Sequence, residues 1–162
     1  MKKVKEIDER LHEALEELKR IDHLIFVSLK YTRTVDVIKS VVQRMVNYFN
    51  FVLDAMLDYY KEKGELDIIQ KSPGLKCDQL RNLTDDSKIH EMIDFYLLLR
   101  RLLRVDYSII NEYKRHVGMV AELSDTDTLT VDIDLITEYY KALKDYLDYV
   151  NDILLERKES DE

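Results

Sequence analysis

The stretch that most constrains the fold is Thr34–Gly64, TVDVIKSVVQRMVNYFNFVLDAMLDYYKEKG. Val35, Ile38, Val42, Met45, Phe49, Val52, Met56 and Tyr59 recur at alternating steps of three and four, the spacing of one helical face. Val41, Val46, Leu53, Leu57 and Tyr60 widen that face. Lys39, Gln43, Asn47, Asn50, Asp54, Asp58 and Lys61 leave only a narrow polar stripe. A helix apolar over most of its circumference must be covered on several sides, so the rest of the chain is expected to pack around it. The Thr34 hydroxyl is placed to cap its first turn, and Asp36 suits the positive end of its dipole. Gly64 can close it in the left-handed conformation. The rod is about 45 Å long at 1.5 Å per residue.

The preceding segment, from Lys2 to about Tyr31, carries a heptad seam at Val4, Ile7, Leu11, Ala14, Leu18, Ile21 and Ile25, broken at Ser28. Such a seam packs at a shallow angle against another helix. Tyr31-Thr32-Arg33 reads as a tight turn between antiparallel helices, although no Gly or Pro forbids one continuous rod through both. Residues 65–86 form the long connection. Ser72-Pro73-Gly74 is a turn signal, and the apolar content predicts short helical pieces near 65–71 and 76–82. Thr84-Asp85-Asp86-Ser87 offers several caps for a third helix over about 87–117, with Ile89, Ile93, Tyr96, Leu99, Leu103, Tyr107 and Ile110 on its inner face and room for a bend near Asp106–Ser108. SDTDTLT, 124–130, reads as a loop. A fourth helix over about 132–157 follows from Ile136, Tyr140, Leu143, Leu147, Val150 and Leu154, and the tail ERKESDE is expected to fray. Four rods joined this way predict a single all-α domain, an antiparallel up-down-up-down four-helix bundle with short helices in the crossover.

Composition narrows the functions. The chain has 162 residues, 33 acidic against 25 basic, and a net charge of −8. That balance argues against a general nucleic-acid or anionic-membrane binder, but not against a local basic patch. A single cysteine, Cys77, excludes an internal disulfide and a thiolate metal cage, and fits a reducing cytoplasm. No apolar run reaches membrane-spanning length, and MKKVKEIDERLHEALEELKR lacks the apolar core of a signal peptide. Abundant Lys and Glu with few Asn and Gln has a thermophilic flavour.

Few residues invite chemistry. Glu9 and His12 have the Glu-x-x-His spacing of di-iron bundles, but a single copy off the seam reads as a solvated face. His23 and His90 read as surface or packing residues, and Cys77 as a small buried hydrophobe. No metal or cofactor is called for, and no catalytic set is complete. The informative segment is Leu99–Val117, LRRLLRVDYSIINEYKRHV, which reverses the sign of an acidic chain. On a continuous helix Arg101, Ser108 and Arg115 would share a face, with Arg104 and Asn111 beside them and Tyr107 and Tyr113 adjacent. Such a stripe could hold phosphates or stack bases. The alternative is that these arginines pair with acidic neighbours on the first and fourth helices.

Two long helices, an irregular crossover, an Arg-rich third helix and a Tyr-rich last helix ending KALKDYLDYVNDILLE resemble the HEPN group of small α-helical domains. The resemblance implies dimerisation and, in many members, ribonuclease activity, often as a toxin paired with a nucleotidyltransferase. The group's catalytic signature is Arg, four to six residues, then His. Here Arg104 and His116 are separated by eleven residues, Arg81 and His90 by eight, and Arg115 directly precedes His116. What the resemblance implies is thus a non-catalytic member, or a site assembled differently from Arg104, Asn111, Arg115 and His116. Two readings follow. The first is a non-enzymatic, homodimeric interaction or scaffold domain, motivated by the broad apolar coverage of the first two helices without a complete catalytic set. The second is an RNA-binding or RNA-cleaving protein using Arg101, Arg104, Asn111, Arg115 and His116.

Overall fold

The apolar helix is the axis of the molecule. A computed structural model describes residues 2–160, with side chains described over 6–154. The elements run α1 Lys2–His23, a π-helical turn Leu24–Ser28, a short α2 Leu29–Tyr31, α3 Val35–Glu62, α4 Pro73–Leu83, α5 Ser87–Leu102, β1 Tyr107–Ile110, β2 Gly118–Glu122, β3 Thr128–Asp132 and α6 Ile133–Ser160. The side chains of the seam residue Val4 and of the charged tail lie outside those described. No described helix is long and apolar enough to cross a membrane.

α3 packs against α1, α4, α5, α6 and β2. It begins where the cap predicts: the Thr34 hydroxyl accepts from the Val37 amide at 3.3 Å. It stops at Gly64, whose φ of 79° is the left-handed closing conformation that only glycine adopts without strain. Phe49 sits mid-helix at 0% exposure, ringed by Tyr48, Phe95, Tyr96 and Tyr146. Helices α1 and α3 are separate and antiparallel. Arg10 reaches Asp58 at 2.6 Å and Asp54 at 3.3 Å, joining the start of one to the end of the other.

Tyrosines tie the other helices on by their hydroxyls. Tyr48 donates to the Leu143 carbonyl at 2.6 Å, Tyr96 to Asn50 at 2.6 Å, Tyr140 to Asp22 at 2.8 Å and Tyr146 to Glu91 at 2.9 Å. A buried hydroxyl needs such a partner, and here each one also links elements distant in sequence. Asp86 caps α5 by accepting from the amides of Lys88 and Ile89, and its other oxygen accepts from Tyr149 on α6. In the crossover only 73–83 is helical. The expected helix near 65–71 is instead an irregular segment pinned by Gln79, which bonds the Ile68 carbonyl and the Gln70 amide.

The all-α four-helix bundle is overturned between Leu102 and Ile133. The expected third helix, 87–117, ends at Leu102, and the chain from there to α6 forms a three-stranded antiparallel sheet in the order β1-β2-β3. The molecule is therefore mixed: a helical body with a small sheet. The competing signal was strand alternation. Met119, Ala121 and Val131 point inward and are fully buried, whereas Thr128 and Thr130 face out. The segment read as the loop 124–130 supplies the first part of β3. Tyr107, Ile109, Ile110, Val120, Thr128, Thr130 and Val131 are β-branched or aromatic, the types that suit a half-buried pleated surface. Gly118 opens the central strand where space is tight. A Cβ there would meet Ile110 and Thr130 side-chain carbons at 3.1 Å. The sheet lies at the N-terminal end of α3, where Lys39 stands over the Tyr107 ring at 4.8 Å.

Candidate functional site

Replacing a helix by a hairpin redistributes the basic residues. Arg101 and Arg104 remain at the end of α5 and are exposed. Asn111, Arg115 and His116 lie in the tip that joins β1 to β2, beyond the Ile110–Gly118 pair. The two groups thus sit at opposite ends of the β1–β2 hairpin, about 10 Å of strand apart at 3.4 Å per residue. The shared helical face of Arg101, Ser108 and Arg115 does not exist.

The tip is a tightly folded pair of turns. The Lys114 amide bonds the Asn111 carbonyl at 2.9 Å, the Val117 amide bonds the Lys114 carbonyl at 3.0 Å, and the Asn111 side-chain amide donates to the His116 carbonyl at 3.2 Å. Asn111 and Tyr113 have φ of 53° and 68°. Asparagine tolerates the left-handed region, but for tyrosine it costs roughly 1–2 kcal/mol. Two contacts hold the strained tip against the turn between α2 and α3. The Tyr113 amide donates to the Arg33 carbonyl at 2.7 Å, and Glu112 accepts from the Val35 amide at 3.3 Å, satisfying a free donor of the α3 N-terminus.

This docking builds a cavity of about 280 Å³ between the hairpin tip, the π-helical turn and the start of α6. Lys30, Arg33, Arg115 and His116 line it, with Ile25, Phe26 and Leu29 as an apolar wall and Asp132 and Asp134 on the α6 side. Asp132 is engaged, accepting from the Leu135 amide at 2.9 Å as the cap of α6. Among the described residues, the side chains of Arg33, Arg115 and His116 make no ion pair or hydrogen bond. Among the described residues, Arg101 and Arg104 also have no carboxylate partner. Close in sequence to the lining residues are two of the most exposed aromatic side chains, Tyr31, which follows Lys30, at 79% and Tyr113, two residues before Arg115, at 78%. The wide π-helical turn leaves Phe26 and Val27 exposed as well.

Of the residues singled out by sequence, the structure brings Asn111, Arg115 and His116 together and leaves Arg101 and Arg104 apart. Lys30, Arg33, Tyr31 and Phe26 join the cluster and were not foreseen. Their only sequence signal is proximity to the Tyr31-Thr32-Arg33 turn. The remaining candidates are structural. Glu9 and His12 are exposed, and the His12 ring is 3.9 Å from Glu16. The His90 ring bonds the Thr84 carbonyl at 2.6 Å. Cys77 is buried at 1% exposure, and burial pushes its thiol up to about 11, so little thiolate forms at neutral pH.

Compared with protein families, curated proteins and solved structures, the chain finds no match.

Proposed function

We propose that this chain is a non-enzymatic interaction domain that binds single-stranded nucleic acid at the corner formed by Tyr31, Arg33, Tyr113 and Arg115. The observation that carries this reading is the set of unpaired cations beside two exposed tyrosine rings, in a chain of net charge −8. Sequence-tolerant binders of single strands combine cations that track the backbone with aromatic faces that stack bases. The cavity would take a phosphate, with Arg33 and Arg115 as charge-assisted donors. The resemblance to the HEPN group makes RNA the first form to test. Binding without cleavage is the better-supported half, because His116 is the single histidine at the cavity. In-line cleavage of RNA draws on both an acid and a base.

The test is fluorescence anisotropy with a labelled single-stranded RNA at low and moderate salt, with gel analysis of the same samples. Binding is expected at low salt and should fall as salt rises, because the counterions released when Arg33 and Arg115 neutralise phosphates then gain less. Arg33→Ala with Arg115→Ala is expected to weaken it at least tenfold while the RNA stays intact. Absence of binding at low salt, or unchanged binding in the double variant, would refute the reading. Cleaved RNA would refute its non-enzymatic half.

A further inference from the structure

The outer strand β1 is unlike any other element of the molecule. All four residues, Tyr107–Ile110, are exposed, and three of them are apolar. It is an edge of the sheet, and its free side carries none of the usual protections of an edge: no proline, no charge within the strand and no bulge. The other edge, β3, is flanked by Asp125, Asp127 and Asp132 and runs straight into α6. A second copy approaching β3 would meet only like charge, whereas β1 has no charge within the strand and is flanked by both signs, Arg104 and Asp106 before it and Glu112 and Lys114 after it.

The pairing pattern says which backbone groups β1 leaves free. The Glu122 amide bonds the Asp106 carbonyl at 2.9 Å, so 106 opposite 122 is a hydrogen-bonded position of the β1–β2 ladder. Antiparallel pairs alternate, so Ser108 and Ile110 also bond inward to β2, and the backbone groups of Tyr107 and Ile109 point outward. We propose that β1 pairs with β1 of a second copy, antiparallel about a two-fold axis at Ser108, to give a continuous six-stranded sheet. The register follows from geometry. Centring on Tyr107 would require the bend at Val105 to be extended strand, and centring on Ile109 would require the same of Asn111, whose φ is 53°. Centring on Ser108 sets Tyr107 against the partner's Ile109, and Ile109 against the partner's Tyr107. Each pair exchanges both of its bonds using strand residues alone. The strand is thus self-complementary, which a two-fold interface demands.

The arrangement has a consequence for the charged ends. It lays the Arg101–Arg104 end of one copy beside the Asn111–His116 tip of the other, bringing the partner's Arg104 toward Glu112. Basic residues separated within one chain become neighbours across the interface. This inference does not depend on nucleic-acid binding, because the strand pairing stands whether or not the cavity takes a phosphate.

Sedimentation of the whole protein, with no nucleic acid added, tests it. A dimer is expected. Ile109→Pro and Ile109→Lys are expected to be monomeric with unchanged circular dichroism, because the Ile109 amide points away from β2 and neither change breaks the β1–β2 ladder. In a Cys77→Ser background, Ser108→Cys is expected to form an intermolecular disulfide under mild oxidation, since two-fold-related Ser108 residues would be a close, non-hydrogen-bonded pair. Thr130→Cys on β3 should not. A protein that stays monomeric at every concentration overturns the proposal. So does a dimer that persists in both Ile109 variants, or one that Ser108→Cys fails to trap.

Discussion

The two ends of α3 treat charge in opposite ways. Towards the C-terminal end cations are spent on the fold: Arg10 holds Asp54 and Asp58, and Lys76 of α4 holds Asp54 at 2.7 Å. At the N-terminal end Arg33, Arg115 and His116 gather around a cavity, and their side chains make no ion pair or hydrogen bond among the described residues. Charges paired among themselves lock helices together and have little left for a ligand. Charges gathered and left unpaired are positioned by contacts other than their own side chains, here the bond from the Tyr113 amide to the Arg33 carbonyl and the bond from the Val35 amide to the Glu112 carboxylate. The difference separates an end whose charges brace helices from an end whose charges remain open to solvent, more clearly than any count of basic residues.

The largest effect is expected from a change that removes what both ends share. Phe49→Ala empties the middle of α3 and should cost about 3–5 kcal/mol in denaturant unfolding, with both ends lost in a single transition. Two separate transitions would show that the ends fold independently. Next comes Arg10→Ala, which leaves Asp54 and Asp58 facing each other. Burial already pushes the Asp58 carboxyl above its ordinary value against the pull of Arg10. The loss should be about 1–3 kcal/mol, with RNA binding unchanged. A smaller effect is pH-dependent. Burial raises the Asp86 carboxyl, but the Tyr149 hydroxyl and the amides of Ile89 and Lys88 outweigh it and hold the group below its ordinary value. A carboxyl lowered on folding stabilises above its unfolded value, near 3.9, and that contribution is lost as pH falls through the folded value. Wild type should therefore exceed Asp86→Asn in stability at neutral pH, and the gap should close below about pH 4. A gap that widens in acid would contradict the cap. The smallest effect sharpens the contrast from the other side: Arg33→Ala and Arg115→Ala should each change stability by less than about 0.5 kcal/mol, because neither side chain holds a partner.

The helical body was legible because its signals agree at several levels. The three-and-four spacing of α3, the Thr34 cap and the Gly64 stop all point to one element, and the Asp86 cap lies among the four residues marked as candidates. Between Leu103 and Asp132 the signals conflict. Leu103, Tyr107 and Ile110 continue the seam of α5 at helical spacing, so a longer helix satisfied the periodicity. Met119, Ala121, Leu129 and Val131 alternate at a period of two, but over runs of only five residues each. Short runs are where the two patterns are hardest to separate. The hairpin tip contains no Asn-Gly or Asp-Gly pair, and Asn111 and Tyr113 take up its left-handed positions. The site was half legible for the same reason. Arg115 and His116 stood out as a reversal of charge, but Arg33 comes from the other side of the fold, and only tertiary docking brings it there.

That docking spans a long stretch of chain. The bond from Val35 to Glu112 joins residues 77 apart. Contacts that close so much chain form late, after local helices have met their neighbours. During synthesis Arg33 emerges well before Arg115, and the cavity does not exist until the hairpin has folded back onto the α2–α3 turn. Ligand capture would then report only completed molecules. In refolding, a signal from bound ligand should lag the recovery of helical circular dichroism, and a half-made chain would be blind to its partner.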